Sequence, residues 1–230
     1  MLTEIQNKFL DLLLESGALK FGNFQTKSGR MSPFFFNSGA FNDGLTLKRV
    51  AQCYASFILS DLVALAHHDL HLYGPAYKGI TLASATAMEL ASISGRNVSF
   101  TFNRKEQKNH GEGGAFIGRD ISKSSSLIVI EDVMTGGTSV RETLDILQPM
   151  GAGICAVLVG VDREERGAGD VRASVEISSV FGIPVFSILT INEIINALWM
   201  GDSPVVRVGK TWLDSDLMSR IKDYRRQWGR

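Results

Sequence analysis

The chain has little of what would tie it to an oxidising compartment, a membrane or a polyanion. Its 230 residues include two cysteines, Cys53 and Cys155. Both lie inside apolar stretches, VAQCYASF and GICAVLVG, without metal or CxxC spacing, which excludes a disulfide framework in favour of reduced core thiols in a cytoplasmic protein. There is no charge of one sign to spare: 24 basic residues face 24 acidic ones. Nucleic acid and anionic membranes are normally met with a basic excess, so neither is expected as a partner, and any positive site must be local. No apolar run approaches the roughly 20 residues of a membrane helix. The start, MLTEIQNKFLDLLLESG, lacks a basic region followed by an apolar stretch and a cleavage site. Thr3 stands three residues before Gln6, a capping box, and Ile5, Phe9, Leu12 and Leu13 recur at helical spacing, which predicts a helix of the mature protein. Histidine is scarce as well. HHDLH at 67–71 has no cysteine or further histidine cluster beside it, so it reads as an exposed connection and no protein metal site is expected.

What is present is a 44% hydrophobic, 21% charged chain with length for one good core. A single domain over 1–230 is expected, with a helix and hood segment over about 1–44 and an α/β core with a C-terminal helix over 45–230. The stretch 21–44, FGNFQTKSGRMSPFFFNSGAFNDG, lacks helical periodicity and reads as a hairpin or irregular cap. From Leu45 long helical segments alternate with short apolar runs: HLYG, VSFTF, LIVIE, ICAVLVGVD and VFSIL. That order implies crossover connections, hence a twisted, mainly parallel sheet with helices on both faces. DSDLMSRIKDYRRQWG puts Leu217, Ile221, Tyr224 and Trp228 on one helical face.

In such sheets ligands gather outside the carboxyl ends of the strands. The strand LIVIEDVM (127–134) carries Glu131 and Asp132 towards its carboxyl end and runs into TGGTS. Consecutive backbone N–H groups, glycines free to take positive φ, and the hydroxyls of Thr135, Thr138 and Ser139 then meet at a helix N-terminus, where partial positive charge favours phosphate. Acids beside that turn suit sugar hydroxyls, and the segment reads as a ribose phosphate cradle. FNRKEQKNHGEGG (102–114) supplies Arg104, Lys105, Lys108 and His110 among glycines, the pattern of a mobile lid for a multiply charged anion. LYGPAYKGI offers a second anion-compatible turn with Tyr77 and Lys78. In TKSGRMSPFFFNSG, Lys27 and Arg30 precede Phe34, Phe35 and Phe36, an aromatic wall beside cations that suits a flat anionic ring. Two apparent motifs are excluded. GAGICA at 151–156 fits GxGxxA but precedes its strand, and GKT at 209–211 lacks the earlier glycine of a triphosphate loop.

EDVMTGGTS resembles the phosphoribosyl pyrophosphate (PRPP) signature of the type I phosphoribosyltransferases. RKEQKNHGEGG, GPAYKG, KSGRMSPFFFNSG and DREERG (162–167) are similar to the other site segments of the orotate branch of that family. The resemblance implies the type I phosphoribosyltransferase fold with a small N-terminal hood. It implies PRPP around Tyr77, Lys78, Arg104, Lys105, Lys108, His110, Glu131, Asp132, Val133, Met134, Thr135, Gly136, Gly137, Thr138 and Ser139, with Lys108 and Asp132 as the catalytic residues. Orotate would lie among Lys27, Phe35, Phe36, Thr135 and Arg163, with Arg163 on its carboxylate. The resemblance further implies magnesium held mainly through PRPP and pyrophosphate, and a homodimer whose lid serves the neighbouring subunit. Two positions depart from the pattern. Glu131 stands where two aspartates are common, and Met31 where many relatives carry lysine.

The implied reaction is displacement at the anomeric carbon: N1 of orotate attacks as pyrophosphate leaves, through a centre with oxocarbenium character, in pyrimidine biosynthesis. The alternatives are a purine-base phosphoribosyltransferase, which would share the signature but not KSGR and SPFFFN, and a PRPP-binding regulator without catalysis. A regulator is expected to lose lid cations or gain a DNA-binding extension.

Overall fold

The computed structural model describes residues 1–26, 29–62, 69–105, 115–121, 126–200 and 212–229. The first helix, α1 (Glu4–Glu15), opens on the capping box that the sequence spells. Thr3 Oγ1 accepts the Gln6 N–H at 3.2 Å, and the Gln6 side chain accepts the Thr3 N–H at 3.0 Å. The Gln6 amide also donates to Ile188 O at 3.1 Å and Glu193 Oε1 at 3.0 Å, so one residue both starts the helix and fixes it to the core. The apolar face of Phe9, Leu10, Leu12, Leu13 and Leu14 is buried.

The segment expected to be a hairpin or cap contains an antiparallel hairpin of β1 (Leu19–Gln25) and β2 (Met31–Phe36), irregular between Phe21 and Phe24. A 3-10 turn, Ser38–Ala40, leads into α2 (Gly44–Phe57), which Asp43 caps through the Leu45 and Thr46 N–H groups.

Six strands form the main sheet: β3 (Leu70–Tyr73), β4 (Ser99–Asn103), β5 (Phe116–Gly118), β6 (Ser126–Met134), β7 (Ile154–Asp162) and β8 (Val185–Thr190). Their order is β5-β4-β3-β6-β7-β8, parallel throughout except for the β4–β5 pair. The crossovers are α3 (Lys78–Ser94), α4 (Thr138–Leu147) and α5 (Ala173–Phe181), followed by α6 (Ile191–Met200) and α7 (Ser215–Trp228). After β3 the chain first builds outward through β4 and β5, then returns to β3's other side as β6. This reversal puts the topological switch point between β3 and β6, where an open parallel sheet leaves a crevice at its carboxyl edge.

Strand alternation sends successive side chains to opposite faces. Ile128, Ile130, Ala156 and Leu158 join one core with the apolar faces of α1, α2, α3, α6 and α7. Leu127, Val129, Val157 and Val159 join a second core with α4 and α5. Each such valine, leucine or isoleucine contributes about 1.5–3 kcal/mol when fully buried.

Three elements were not set apart by the sequence pattern: β5, α5 and α6. Helix α4, which opens within TGGTS, ends at Leu147 and closes in a 3-10 turn, Gln148–Met150. Pro149 lies in that turn and supplies no N–H to continue an α-helix. Among the described residues no helix is long and apolar enough to cross a membrane. The last helix folds back to the hairpin: Tyr224 packs edge-on against Phe34 at 5.6 Å, and the Arg166 N–H donates to Trp228 O at 3.0 Å. A further isolated bridge joins Glu165 to Gly229.

Candidate active site

The two acids of β6 lie inside the strand, three and two residues before its end, and both are buried. Being adjacent on an extended strand, they leave on opposite sides of the sheet. Glu131 turns towards α4, where Ser139 Oγ donates to Oε2 at 2.9 Å. Asp132 turns towards α3 and the hairpin, where its Oδ2 accepts from Ser38 Oγ and, at 3.0 Å, from Lys78 Nζ. Burial and then the neighbouring Asp132 charge push the Glu131 carboxyl up to about 8. Tyr54, fully buried on α2, donates to Glu131 O at 2.8 Å and clamps this part of the strand. Neither Ser38 nor Tyr54 was singled out from the sequence. Ser38 lies within the quoted SPFFFNSG, but nothing in a core helix marks Tyr54.

After β6 the chain turns through 135–137 into α4. Gly137, the residue before the helix, has φ 78°, and a Cβ there would come within 2.7 Å of Ile177 Cδ1. Glycine is therefore required twice over, by backbone conformation and by space. No side chain caps α4, so its first N–H groups face the rim with Thr138 and Ser139 exposed beside them. The turn is braced from below by Arg141, which donates to Gly136 O at 2.7 Å and to Glu176 Oε1 at 2.8 Å. Val133 and Met134 contribute differently. Met134 is buried in the α4/α5 core, its carbonyl accepting the Arg163 N–H at 3.0 Å, and the Val133 N–H donates to Asp132 Oδ1 at 2.8 Å. Their side chains are wall, and these backbone groups are already engaged.

The second turn, 74–79, follows β3. A Cβ on Gly74 would lie 2.0 Å from Gly79 O, and one on Gly79 would lie 2.6 Å from Pro75 Cδ, so backbone packs directly on backbone here. This close turn presents Tyr77 and Lys78 at the rim. Tyr77 is largely exposed, with Lys105 Nζ 4.8 Å from its ring centre. Lys78 keeps about half of its side chain open while paired with Asp132. Arg104 leaves β4 at the same edge, and its Nε is buried without a hydrogen-bond partner among the described residues. A cavity of about 150 Å³ lies between Ser38, Phe41, Leu47, Lys78 and Thr81.

At the other end of the crevice the three phenylalanines of β2 divide. Phe34 and Phe36 are core residues, Phe36 packing edge-on against Phe41. Phe35 points outward and stacks on Phe24 at 5.4 Å. Arg163, at the end of β7, is buried: its Nε donates to Glu165 Oε1 at 2.8 Å, and its guanidinium lies 4.7 Å from the Phe34 ring centre. Lys27, Lys108 and His110 lie outside the described residues, as do His67 and His68; the rest of HHDLH is not the exposed connection expected, because Leu70 and His71 already belong to β3 and strand alternation buries His71 against Thr101. Turns 74–79 and 135–139, the β6 acids and Arg163 thus gather at one sheet edge.

Residues 38–207 match the phosphoribosyl transferase domain model. The chain is 41% identical over 228 residues to the orotate phosphoribosyltransferase of Laribacter hongkongensis (strain HLHK9), covering 99% of each chain. It is 44% identical over 202 residues to that of Janthinobacterium sp. (strain Marseille), covering 86% of this chain and 88% of the relative. The crystal structure of the Francisella tularensis orotate phosphoribosyltransferase superposes with a TM-score of 0.77 at 34% identity, covering 96% and 99% of the two chains. With an acid-bearing strand, an uncapped helix start and a two-sided crevice behind those likenesses, the chain belongs to the orotate phosphoribosyltransferases of the phosphoribosyl transferase family.

Proposed function

We propose that this chain transfers the 5-phosphoribosyl group of PRPP to N1 of orotate, giving orotidine 5′-monophosphate and pyrophosphate in pyrimidine biosynthesis. One observation carries the reading: the β6 acids, split to either side of the sheet, directly precede an uncapped helix start, with Lys78 opening α3 after one flanking strand and Arg163 just past the end of the other. Residues 135–139 hold the 5′-phosphate through N–H groups and hydroxyls. Glu131 and Asp132 face the ribose hydroxyls. Tyr77, Lys78, Arg104 and Lys105, with Lys108 and His110 of the lid, surround the diphosphate. Phe35 supplies a flat face and Arg163 the cation for the orotate carboxylate, together with Lys27.

N1 bonds to the anomeric carbon as the carbon–oxygen bond to diphosphate breaks, with net loss of the N1 proton. The chain's work is electrostatic, because charge must be stabilised on the departing group without water at the reacting centre. A cation about 4 Å from a phosphate oxygen interacts by roughly 1 kcal/mol in bulk water and about 4 kcal/mol at an effective dielectric of 20. Excluding solvent therefore outweighs adding another lysine. Lys78 begins paired with Asp132, so an arriving diphosphate competes for an ammonium that is already positioned.

Magnesium fits this donor set as an ion carried by the substrate. Glu131 and Asp132 bring hard oxygen donors to the crevice, the ligand type magnesium prefers, but both are buried and already hydrogen-bonded, so the ion would be held mainly by the phosphate oxygens of PRPP and would neutralise charge on the leaving group. The working unit is a cytoplasmic homodimer of single-domain chains, each lid serving the partner's site.

The test is spectrophotometric: orotate absorbance should fall on adding PRPP and magnesium. No fall with orotate, or turnover of a purine base in its place, would overturn the assignment.

A further inference from the structure

Arg163 does not stand alone at the base end of the crevice. Its Nε and Nη2 both reach Glu165 Oε1, at 2.8 and 2.7 Å. Nη2 also donates to Ser32 Oγ at 3.2 Å and to the Tyr224 hydroxyl at 3.3 Å. Tyr224 in turn donates to the same Glu165 oxygen at 2.8 Å. Glu165 and Tyr224 are buried, and the Tyr224 ring packs edge-on against Phe34, over whose face the Arg163 guanidinium lies. Arg30 approaches the other Glu165 oxygen at 3.6 Å and lies over Trp228, 4.7 Å from its ring centre. Strand β2, the turn after β7 and helix α7 therefore close on one guanidinium. Every hydrogen bond of the Arg163 guanidinium uses the Nε/Nη2 edge. Nη1 has no hydrogen-bond partner among the described residues.

A guanidinium is a planar fork of five donors, and one edge can be committed to protein while the other meets a planar carboxylate. An arginine held only by its own rotamers would lose that freedom on binding, and the ligand would bear the cost. We propose that Glu165 and Tyr224 are positioning residues for the base-carboxylate site. They lock one edge of Arg163 and present Nη1 to the acid group of the base, so that the C-terminal helix takes part in selecting a carboxylated pyrimidine. The inference rests on the reading of Arg163 given above and adds what sets its geometry.

Tyr224→Phe tests this with little disturbance, because the ring and its contact with Phe34 remain. The KM for orotate should rise about three- to tenfold, the net worth of one ordinary hydrogen bond, while the KM for PRPP and kcat stay within about twofold. Arg163→Ala is run beside it. Glu165→Gln, which keeps shape but loses charge, should raise the orotate KM further if it folds. A raised orotate KM in Arg163→Ala with no change in Tyr224→Phe would overturn the positioning role and keep Arg163 as the carboxylate residue. No change in either variant would overturn both readings. Equal losses for orotate and PRPP in Tyr224→Phe would mark general loosening and overturn it too.

Discussion

Lys78 sits with its ammonium 3.0 Å from Asp132 and about half of its side chain open. Lys78→Ala should lower kcat about a hundred- to a thousandfold, as expected for losing one preorganised donor to a developing anion. Thermal stability should change little, since Asp132 keeps Ser38 as a partner. Steady-state kinetics and a melting curve check both halves. Lys108→Ala should lower kcat strongly while PRPP still binds, and an unchanged kcat would remove Lys108 from the lid role. At this scale the sequence was most readable where residue type and spacing act together, in EDVMTGGTS and GPAYKG. It was least readable where an ordinary residue earns its place by geometry. Phe34, Phe35 and Phe36 look alike in a string, and only strand alternation sends the middle one outward. Tyr224 reads as one member of an apolar helical face, and its hydroxyl partner, Glu165, lies 59 positions away.

The β6–α4 connection behaves as a unit. Gly137→Ala should destabilise the protein by about 1–3 kcal/mol, from positive φ and the clash with Ile177. It should also raise the KM for PRPP. Gly136→Ala, whose Cβ would meet nothing nearer than Arg166 O at 3.8 Å, should leave Tm within about 2 °C. Denaturant melts of the two variants separate crowding from mere loss of glycine. Five of the six strands of the central sheet were legible because their apolar runs are bounded by breakers; ICAVLVGVD matches β7 end to end. Other elements hid for physical reasons. Helix α5 is nine residues long and starts at Arg172 without a side-chain cap. Helix α6 follows β8 with no intervening residue and buries Ile191, Ile194, Ile195, Ala197 and Leu198, so strand and helix merge into one apolar run. Strand β5 has only three residues and pairs with one neighbour.

For the whole molecule, two buried titrating groups shape stability against pH in opposite senses. Glu131 has its carboxyl raised from 4.5 to about 8 by burial and by Asp132, so the stability tied to its neutral form is present below pH 4.5 and is lost as pH rises towards 8. His71, buried in β3 against Thr101 and near Asp69 and Arg119, is lowered from 6.5 to about 4 by burial and then by Arg119. Its contribution is present above pH 6.5 and is lost as pH falls towards 4. The two slopes oppose each other between 4.5 and 6.5, so this pair favours a stability plateau there, with decline on either side. Urea midpoints measured from pH 4 to 9 should follow that shape, and Glu131→Gln should flatten the alkaline limb without altering the acid one. The α/β class, the parallel sheet and the edge at which turns 74–79 and 135–139 meet were all readable from strand and helix alternation. The docking of α7 on the hairpin was not. The face of Leu217, Ile221, Tyr224 and Trp228 announces burial, but periodicity carries no information about what does the burying.

The bridge between Glu165 and Gly229, with the Arg166 N–H on Trp228 O, has a practical side. A purification handle or fluorescent fusion grafted past Gly229 would emerge beside Glu165, two residues along the chain from Arg163, and would disturb the packing around that buried guanidinium. Met1, fully open to solvent, is the better end to decorate.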